Sequence, residues 1–432
     1  MKLGIVVQRY GADIGGGAEL HARYLAEHLN HHAQVQVLTT CARDYLTWRN
    51  ELPPGQDRVN GIPVARFPVA RERDLQEFSR RTAVVFQRRH SWHDEVAWLT
   101  SEGPACPDLI RWLERSRAEF DYVLFFSARY YHAYYGARVT SGKAVLVPTA
   151  EREPSLALAM LRSMFRGVRA VMYNSLEERA LIQALSHNHD VPGVVVGIGS
   201  DIPTRTDPER FRRDYAIDRP FILYLGRIDD NKGCGELFRY FRAYTRTTPT
   251  PPLLLLAGTR VMDIPDDPSI RYLGYLGERD KFDALAAASA VVMPSYFESL
   301  SMAILEAWAL GRPTLVNGEC DVLLGQSLRS NAGLYYCDGA EFCSALDRLL
   351  TTPGLADMLG RRGREYYENN YGWPVIERKY LDMFDRLRTE PAKPVERAPG
   401  WLSQRLRRIP AAAELLKSAP SGPASAGSER VA

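Results

Sequence analysis

Glu298 and Glu306, with seven residues between them, are the sharpest chemical feature of this sequence. They lie in the segment Met293-Pro294-Ser295-Tyr296-Phe297-Glu298-Ser299-Leu300-Ser301, which runs on through Glu306 to Gly311. A strand ends at Pro294, Ser299 offers an N-cap, and a helix runs to the Gly311 stop with Pro313 beyond. On this reading Glu298 stands just outside the helix N-terminus and Glu306 about two turns inside, ~10 Å along the axis. Carboxylates so placed can grip two hydroxyl-bearing parts of one long ligand, with the helix dipole facing a negative group between them. The plainer alternative makes Glu298 a capping carboxylate and Glu306 a surface residue.

A second element, Tyr224-Leu225-Gly226-Arg227-Ile228-Asp229-Asp230-Asn231-Lys232-Gly233, follows a strand. Arg227 and Lys232 can converge on the crevice at the carboxyl ends of the strands, and a guanidinium fork with a point charge suits a diphosphate. Solvated loop cations are the alternative. A third element, Gly15-Gly16-Gly17-Ala18-Glu19, opens a helix where bare backbone N–H groups can face a phosphate, or simply packs helix on strand. It is not the G-x-G-x-x-G of a dinucleotide site. No acidic residue closes the second strand at Thr39-Thr40 to hold a ribose, which disfavours a nicotinamide enzyme. The aromatic run Tyr130-Tyr131-His132-Ala133-Tyr134-Tyr135 follows a strand end, so Tyr131 and His132 are acceptor-side candidates, against the alternative of a packed helix face.

These groups need a scaffold, and the sequence supplies one. Short apolar runs alternate with helical patterns, as in a parallel sheet covered on both faces. The first set of strands is 3–7, 35–39, 64–69, 122–126, 144–147, 170–174 and 194–197. After a polar break at 200–208 the second set is 221–225, 253–257, 270–273, 290–294, 313–316 and 333–336. The expected architecture is α/β, with two Rossmann-like domains at 1–199 and 200–365, a helix at 366–388, and a disordered tail at 389–432 that carries one short helix near 401–416. The first apolar run is five residues long, far short of a signal or spanning segment.

Composition narrows the class. With 55 Lys+Arg against 52 Asp+Glu in 432 residues the net charge is +3, too balanced for a chain whose partner is bulk nucleic acid. The six cysteines are scattered without C-x-x-C pairs or zinc-spaced histidines, which points to reduced thiols in the cytoplasm and to no structural metal. Two basic stretches, 71–90 and 401–417, are candidates for peripheral contact with anionic membrane headgroups, with solvated helix faces as the alternative.

Taken together, the segments resemble the family 4 retaining glycosyltransferases of the GT-B fold, in which two Rossmann-like domains face across a cleft. The resemblance spans about residues 1–388. It rests on E-x7-E at Glu298 and Glu306, G-R-x4-K-G at Gly226 to Gly233, G-G-x-E at Gly16 to Glu19, and Tyr371-Gly372-Trp373 opening a helix that crosses back to the first domain. It implies that Arg227 and Lys232 neutralise the diphosphate of a nucleotide sugar, that Glu298 addresses the transferred sugar and Glu306 the ribose, and that Gly16 and Gly17 close against the donor. Where the family commonly has Glu-Gly-Phe-Gly, this chain has Glu298-Ser299-Leu300-Ser301, so Ser299, Leu300 and Ser301 form the donor-binding turn with less room for close backbone approach but with extra hydroxyls. Where many members carry a His near the sugar, Glu151 occupies the corresponding place after the strand Val145-Leu146-Val147. Plain surface carboxylates at 151 and 153 are the alternative.

The resemblance implies a retaining glycosyltransferase that takes a nucleoside diphosphate sugar and a carbohydrate or lipid-linked acceptor, in cell-surface polysaccharide or glycolipid synthesis. It needs no further cofactor and no metal. Two other readings stand beside it: a nucleotide-sugar epimerase or hydrolase of the same fold, and a catalytically silent subunit of a glycan assembly complex.

Overall fold

The computed structural model describes residues 1–392. The tail expected beyond the last helix and the basic stretch 401–417 fall outside the described residues, apart from the tail's first few. Eight strands, β1 (Lys2–Val6), β2 (Gln34–Thr40), β3 (Gly55–Val59), β4 (Ile62–Phe67), β5 (Tyr122–Phe126), β6 (Ala144–Val147), β7 (Ala170–Tyr173) and β8 (Gly193–Val195), build the first sheet. Their order is β3-β4-β2-β1-β5-β6-β7-β8. Six more, β9 (Phe221–Leu225), β10 (Leu253–Ala257), β11 (Ile270–Tyr272), β12 (Ala290–Met293), β13 (Thr314–Asn317) and β14 (Gly333–Tyr336), build the second in the order β11-β10-β9-β12-β13-β14.

The second sheet is all parallel, and its central strands are apolar on both faces because helices cover both. The first departs from the sequence reading at β3, an antiparallel edge strand that the apolar-run criterion passes over. Its sequence, Gly55-Gln56-Asp57-Arg58-Val59, has almost no apolar content, and its exposed charges protect the sheet edge from pairing with another chain. The available signal was Asn60-Gly61, whose φ values of 48° and 83° form the two-residue hairpin turn into β4.

In each sheet the strand order reverses once, between β1 and β5 and between β9 and β12, and the loops leaving β9, β12 and the neighbouring β6 carry the candidate site. The helix Leu355–Asn370 packs on the helix Met302–Ala309 and runs past residue 365, the expected end of the second domain. The helix that crosses back is Trp373–Thr389 and begins seven residues after the expected 366. It lies on the first sheet, with Phe384 stacked on Tyr122 at 5.3 Å and the Leu387 carbonyl accepting from Arg169 at 2.8 Å. Gly197, at φ +87°, lets the chain leave β8 beneath the Tyr371 ring, where any Cβ would collide. Among the described residues no helix is long and apolar enough to cross a membrane.

Candidate active site

The loop after β9 is folded by its own acid. Asp229 accepts from the Lys232 backbone N–H at 2.8 Å and closes a single 3-10 turn. Gly233 then takes φ +72° and lies so close to the Pro294 carbonyl at the end of β12 that a side chain there would collide with it. This contact brings the Lys232 loop against the Glu298 loop. Lys232 Nζ donates to Glu298 Oε1 at 2.8 Å and to the Phe297 carbonyl at 3.3 Å, and stands 3.9 Å from Glu151 Oε1 in the first domain. Arg227 pairs with Asp229 and donates to the Tyr45 hydroxyl at 3.2 Å. The Arg9 and Arg227 guanidinium carbons lie 5.6 and 5.9 Å from the centroid of the Tyr45 ring.

Lys232 and Glu151 tune one another. Partial burial pulls the ammonium pKa down, but Glu298 and then Glu151 more than offset this, so Lys232 lies above the usual lysine value and stays charged. The Glu151 carboxyl is pushed up to about 7, chiefly by desolvation in the cleft, with Lys232 opposing and Glu298 reinforcing the rise. Its side chain keeps 43% of its surface accessible, so it remains reachable from the cleft. Glu178, buried beneath it, accepts from the backbone N–H groups of Ala150 at 2.6 Å and Asn174 at 2.5 Å and so fixes the Glu151 loop; burial raises its carboxyl to about 8.

The helix expected to start at Ser299 starts at Met302, with Ser301 at the N-cap and no side-chain capping bond. Leu300 explains the shift, because its burial draws the chain into the core before the helix begins. Glu306 therefore lies just over one turn into the helix, not two. It is not a surface residue: it is 3% exposed, and its Oε1 accepts from Lys281 at 2.8 Å and from the Ser200 hydroxyl at 2.7 Å. Ser299 is half-buried and Ser301 buried.

Gly16 caps the helix Gly17–Leu29 with φ 138°, and a Cβ there would strike the Glu19 carboxylate. That carboxylate is occupied by Arg9 at 2.6 Å and Gln8 at 3.0 Å, so the glycine turn is held on an internal ion pair. The acceptor-side expectation for His132 fails. The residue has no exposed surface, its Nε2 donates to the Phe126 carbonyl at 2.9 Å, and burial lowers its pKa to about 4. Tyr131 is half-buried and packs on Tyr135 at 4.4 Å, so the packed helix face describes this run better.

The site thus joins Arg227, Lys232, Glu298 and Glu151, while Glu306 is buried against Lys281 and Ser200. Beside Glu298 a cavity of about 280 Å³ opens between the domains, lined by Ala150, Arg152, Glu178, Phe297, Glu298 and Asp321 among others. Sequence reasoning missed Tyr45, Ser200 and Lys281. Each meets its partner from a distant segment, 182 residues away for Tyr45, so no local spacing signals them. Positive and negative groups are nearly balanced here, and a bound diphosphate would give Arg227 and Lys232 a stronger partner than the carboxylates they now hold.

Residues 219–352 match the family model described as Glycosyl transferases group 1. Glycogen synthase of Mycobacterium tuberculosis is 25% identical over 191 residues, which are 41% of this chain and 45% of that protein. The lipopolysaccharide core biosynthesis glycosyltransferase LpsD of Rhizobium meliloti is 28% identical over 177 residues, 38% of this chain and 49% of that protein. The chain thus spans about half the length of the curated relatives it matches. In fold it is similar to sucrose-phosphate synthase from Thermosynechococcus elongatus, with a TM-score of 0.66 at 16% identity over 90% of this chain and 99% of the other. It is also similar to Anabaena HepE in complex with UDP and glucose, with a TM-score of 0.64 at 14% identity over 89% of this chain and 100% of the other. At such identities the likeness is one of fold, and it makes the two sheets the paired Rossmann-like domains of GT-B.

Proposed function

We propose that the protein is a retaining glycosyltransferase of the family 4 type, moving a sugar from a nucleoside diphosphate donor to a carbohydrate or lipid-linked acceptor. The observation that carries this reading is Lys232, which reaches Glu298 and Glu151 at once, from a loop whose Arg227 is also turned to the interdomain crevice. A diphosphate bound by Arg227 and Lys232 places its attached sugar beside those two carboxylates. Matches of 219–352 to group 1 glycosyl transferases and the HepE complex with UDP and glucose support the same assignment.

In the transfer the bond from the anomeric carbon to the β-phosphate oxygen breaks, and the acceptor oxygen bonds to the same face of the carbon. The acceptor proton passes to the departing phosphate. Arg227 and Lys232 stabilise the charge that gathers on this leaving group, a preorganised term of about 3 kcal/mol per donor in comparable sites. Glu298 and Glu151 face the positive charge developing at the sugar, and the neighbouring cavity admits the acceptor, with Phe297 as an apolar wall. Glu306, held by Ser200 and Lys281, accepts from the ribose hydroxyls.

A thermal-shift screen with UDP, GDP and their sugars tests the reading, since a ligand at 100 times its Kd adds about 2.7 kcal/mol of stability. Stabilisation by one nucleotide series, followed by an axial-to-axial anomeric outcome in the product spectrum, is the expected result. Sugar turnover without an acceptor would instead identify an epimerase or hydrolase, and no nucleotide response at all would refute the assignment. Glu306→Ala is expected to raise the donor KM about tenfold with little change in kcat, because ribose binding is shared by ground and transition states. A loss confined to kcat would misplace its role.

Turnover is expected to survive EDTA. The sequence has no Asp-x-Asp pair at a strand end to hold a metal against the diphosphate, and two cations with a helix N-terminus already supply compensating charge. Loss of activity in EDTA, restored by Mg²⁺ or Mn²⁺, would overturn this account of the leaving group.

A further inference from the structure

Away from the crevice, three histidines and two carboxylates meet where the helix Gly17–Leu29, the interdomain linker and the crossover helix touch. His28 Nδ1 lies 2.8 Å from Glu377 Oε1, and its Nε2 lies 3.0 Å from Asp201 Oδ1 in the linker. His32 Nε2 lies 3.0 Å from the other Glu377 oxygen. The Trp373 indole stacks on the His28 ring at 3.6 Å and 10°, and its N–H donates to the same Asp201 oxygen at 2.7 Å. One donor atom from each of His28, His31 and Glu377 lies within 4.8 Å of the others.

We propose that these residues bind one Zn²⁺, with His28 Nδ1, His31 and Glu377 Oε1 as ligands and water in the fourth position. The donor set of two imidazoles and a carboxylate suits zinc better than Mg²⁺ or Ca²⁺, which favour oxygen. The supporting groups are those a zinc site needs. Asp201 takes the His28 Nε2–H, so that Nδ1 can ligate once the proton it shares with Glu377 leaves, Trp373 fixes the ring plane, and His32 holds the second Glu377 oxygen.

Charge argues the same way. The two carboxylates carry two negative charges, offset in part by the proton that His28 Nδ1 shares with Glu377. Arg23, a further cation that acts on Asp201, is committed to the Ala12 carbonyl, Glu27 and Glu278. A divalent ion balances the pair, replacing the proton between His28 and Glu377, which is released to solvent. His31 is exposed and His32 over a third exposed, so both reach an incoming ion with little rearrangement. Bound zinc staples the first domain to the crossover helix and steadies the linker, in which Ser200 holds Glu306.

The test titrates ZnCl2 into metal-free full-length protein, with MgCl2 as control. It reads stoichiometry by competition with a chromophoric chelator and stability by melting temperature. The expected result is one Zn²⁺ per chain, a raised melting temperature, no effect of Mg²⁺, and at least a tenfold weaker affinity in His31→Ala. Because His31 is exposed, that variant should melt like the wild type when metal-free, which separates ligation from folding; Co²⁺ should also give a tetrahedral visible spectrum in the wild type that His31→Ala abolishes. Zinc uptake unaltered by His31→Ala and by His28→Ala, or an equal response to Mg²⁺, overturns the proposal. EDTA should lower the melting temperature of the zinc-loaded protein while sugar transfer continues, so this site and the leaving-group account fail independently.

Discussion

Lys232→Ala is expected to lower kcat/KM for the nucleotide sugar by about 10²–10³, with both kcat and donor affinity affected. The ammonium reaches both Glu298 and Glu151, at 2.8 and 3.9 Å. Its loss acts twice. The diphosphate loses a charge partner that strengthens as the bond to the sugar breaks, and two carboxylates are left facing each other and the donor's own negative charge. Lys232→Arg should recover part of donor binding but less of turnover, since the longer planar fork cannot occupy the same point between the carboxylates. Steady-state kinetics with saturating acceptor decides the matter, and wild-type values for Lys232→Ala would remove the residue from the mechanism.

Much of the scaffold carrying this lysine could be read from the sequence because burial on both faces writes itself as an uninterrupted apolar run. β5, β6, β9 and β10 begin and end at the expected residues for that reason, and the edge strand β14 does so although it is only partly buried. β3 escaped because an edge strand need not be apolar. The start of the Glu306 helix was misplaced because Ser299 and Ser301 are equally competent caps, and only the burial of Leu300, a tertiary fact, chooses between them. His132 failed in the opposite sense: a histidine after a strand end reads alike whether it faces a cleft or the core, and here the Phe126 carbonyl claims it. Chemistry that depends on one segment, such as the Arg227 to Lys232 turn, could be anticipated. Pairings between distant segments, such as Tyr45 with Arg227 or Ser200 with Glu306, leave no periodicity or spacing behind.

Glu151 lies between those cases. Its place after β6 drew attention through resemblance alone, and its distance from Lys232 now gives it a physical role to test. Glu151→Gln is expected to lower kcat by about 10²-fold with nucleotide binding unchanged, because a carboxylate facing the anomeric carbon acts on charge that exists only in the transition state. The pH profile makes the test specific. The ionised form is the useful one, and desolvation holds the carboxyl at about 7, so kcat should rise with pH through that value in the wild type. The Gln variant should lose this limb. Lys232 is the charge that opposes the upward shift, so in Lys232→Ala the residual limb should move to higher pH. A wild-type kcat for Glu151→Gln, or a rise through pH 7 that persists in it, would leave Glu298 as the carboxylate at the sugar and reduce Glu151 to a partner that positions Lys232.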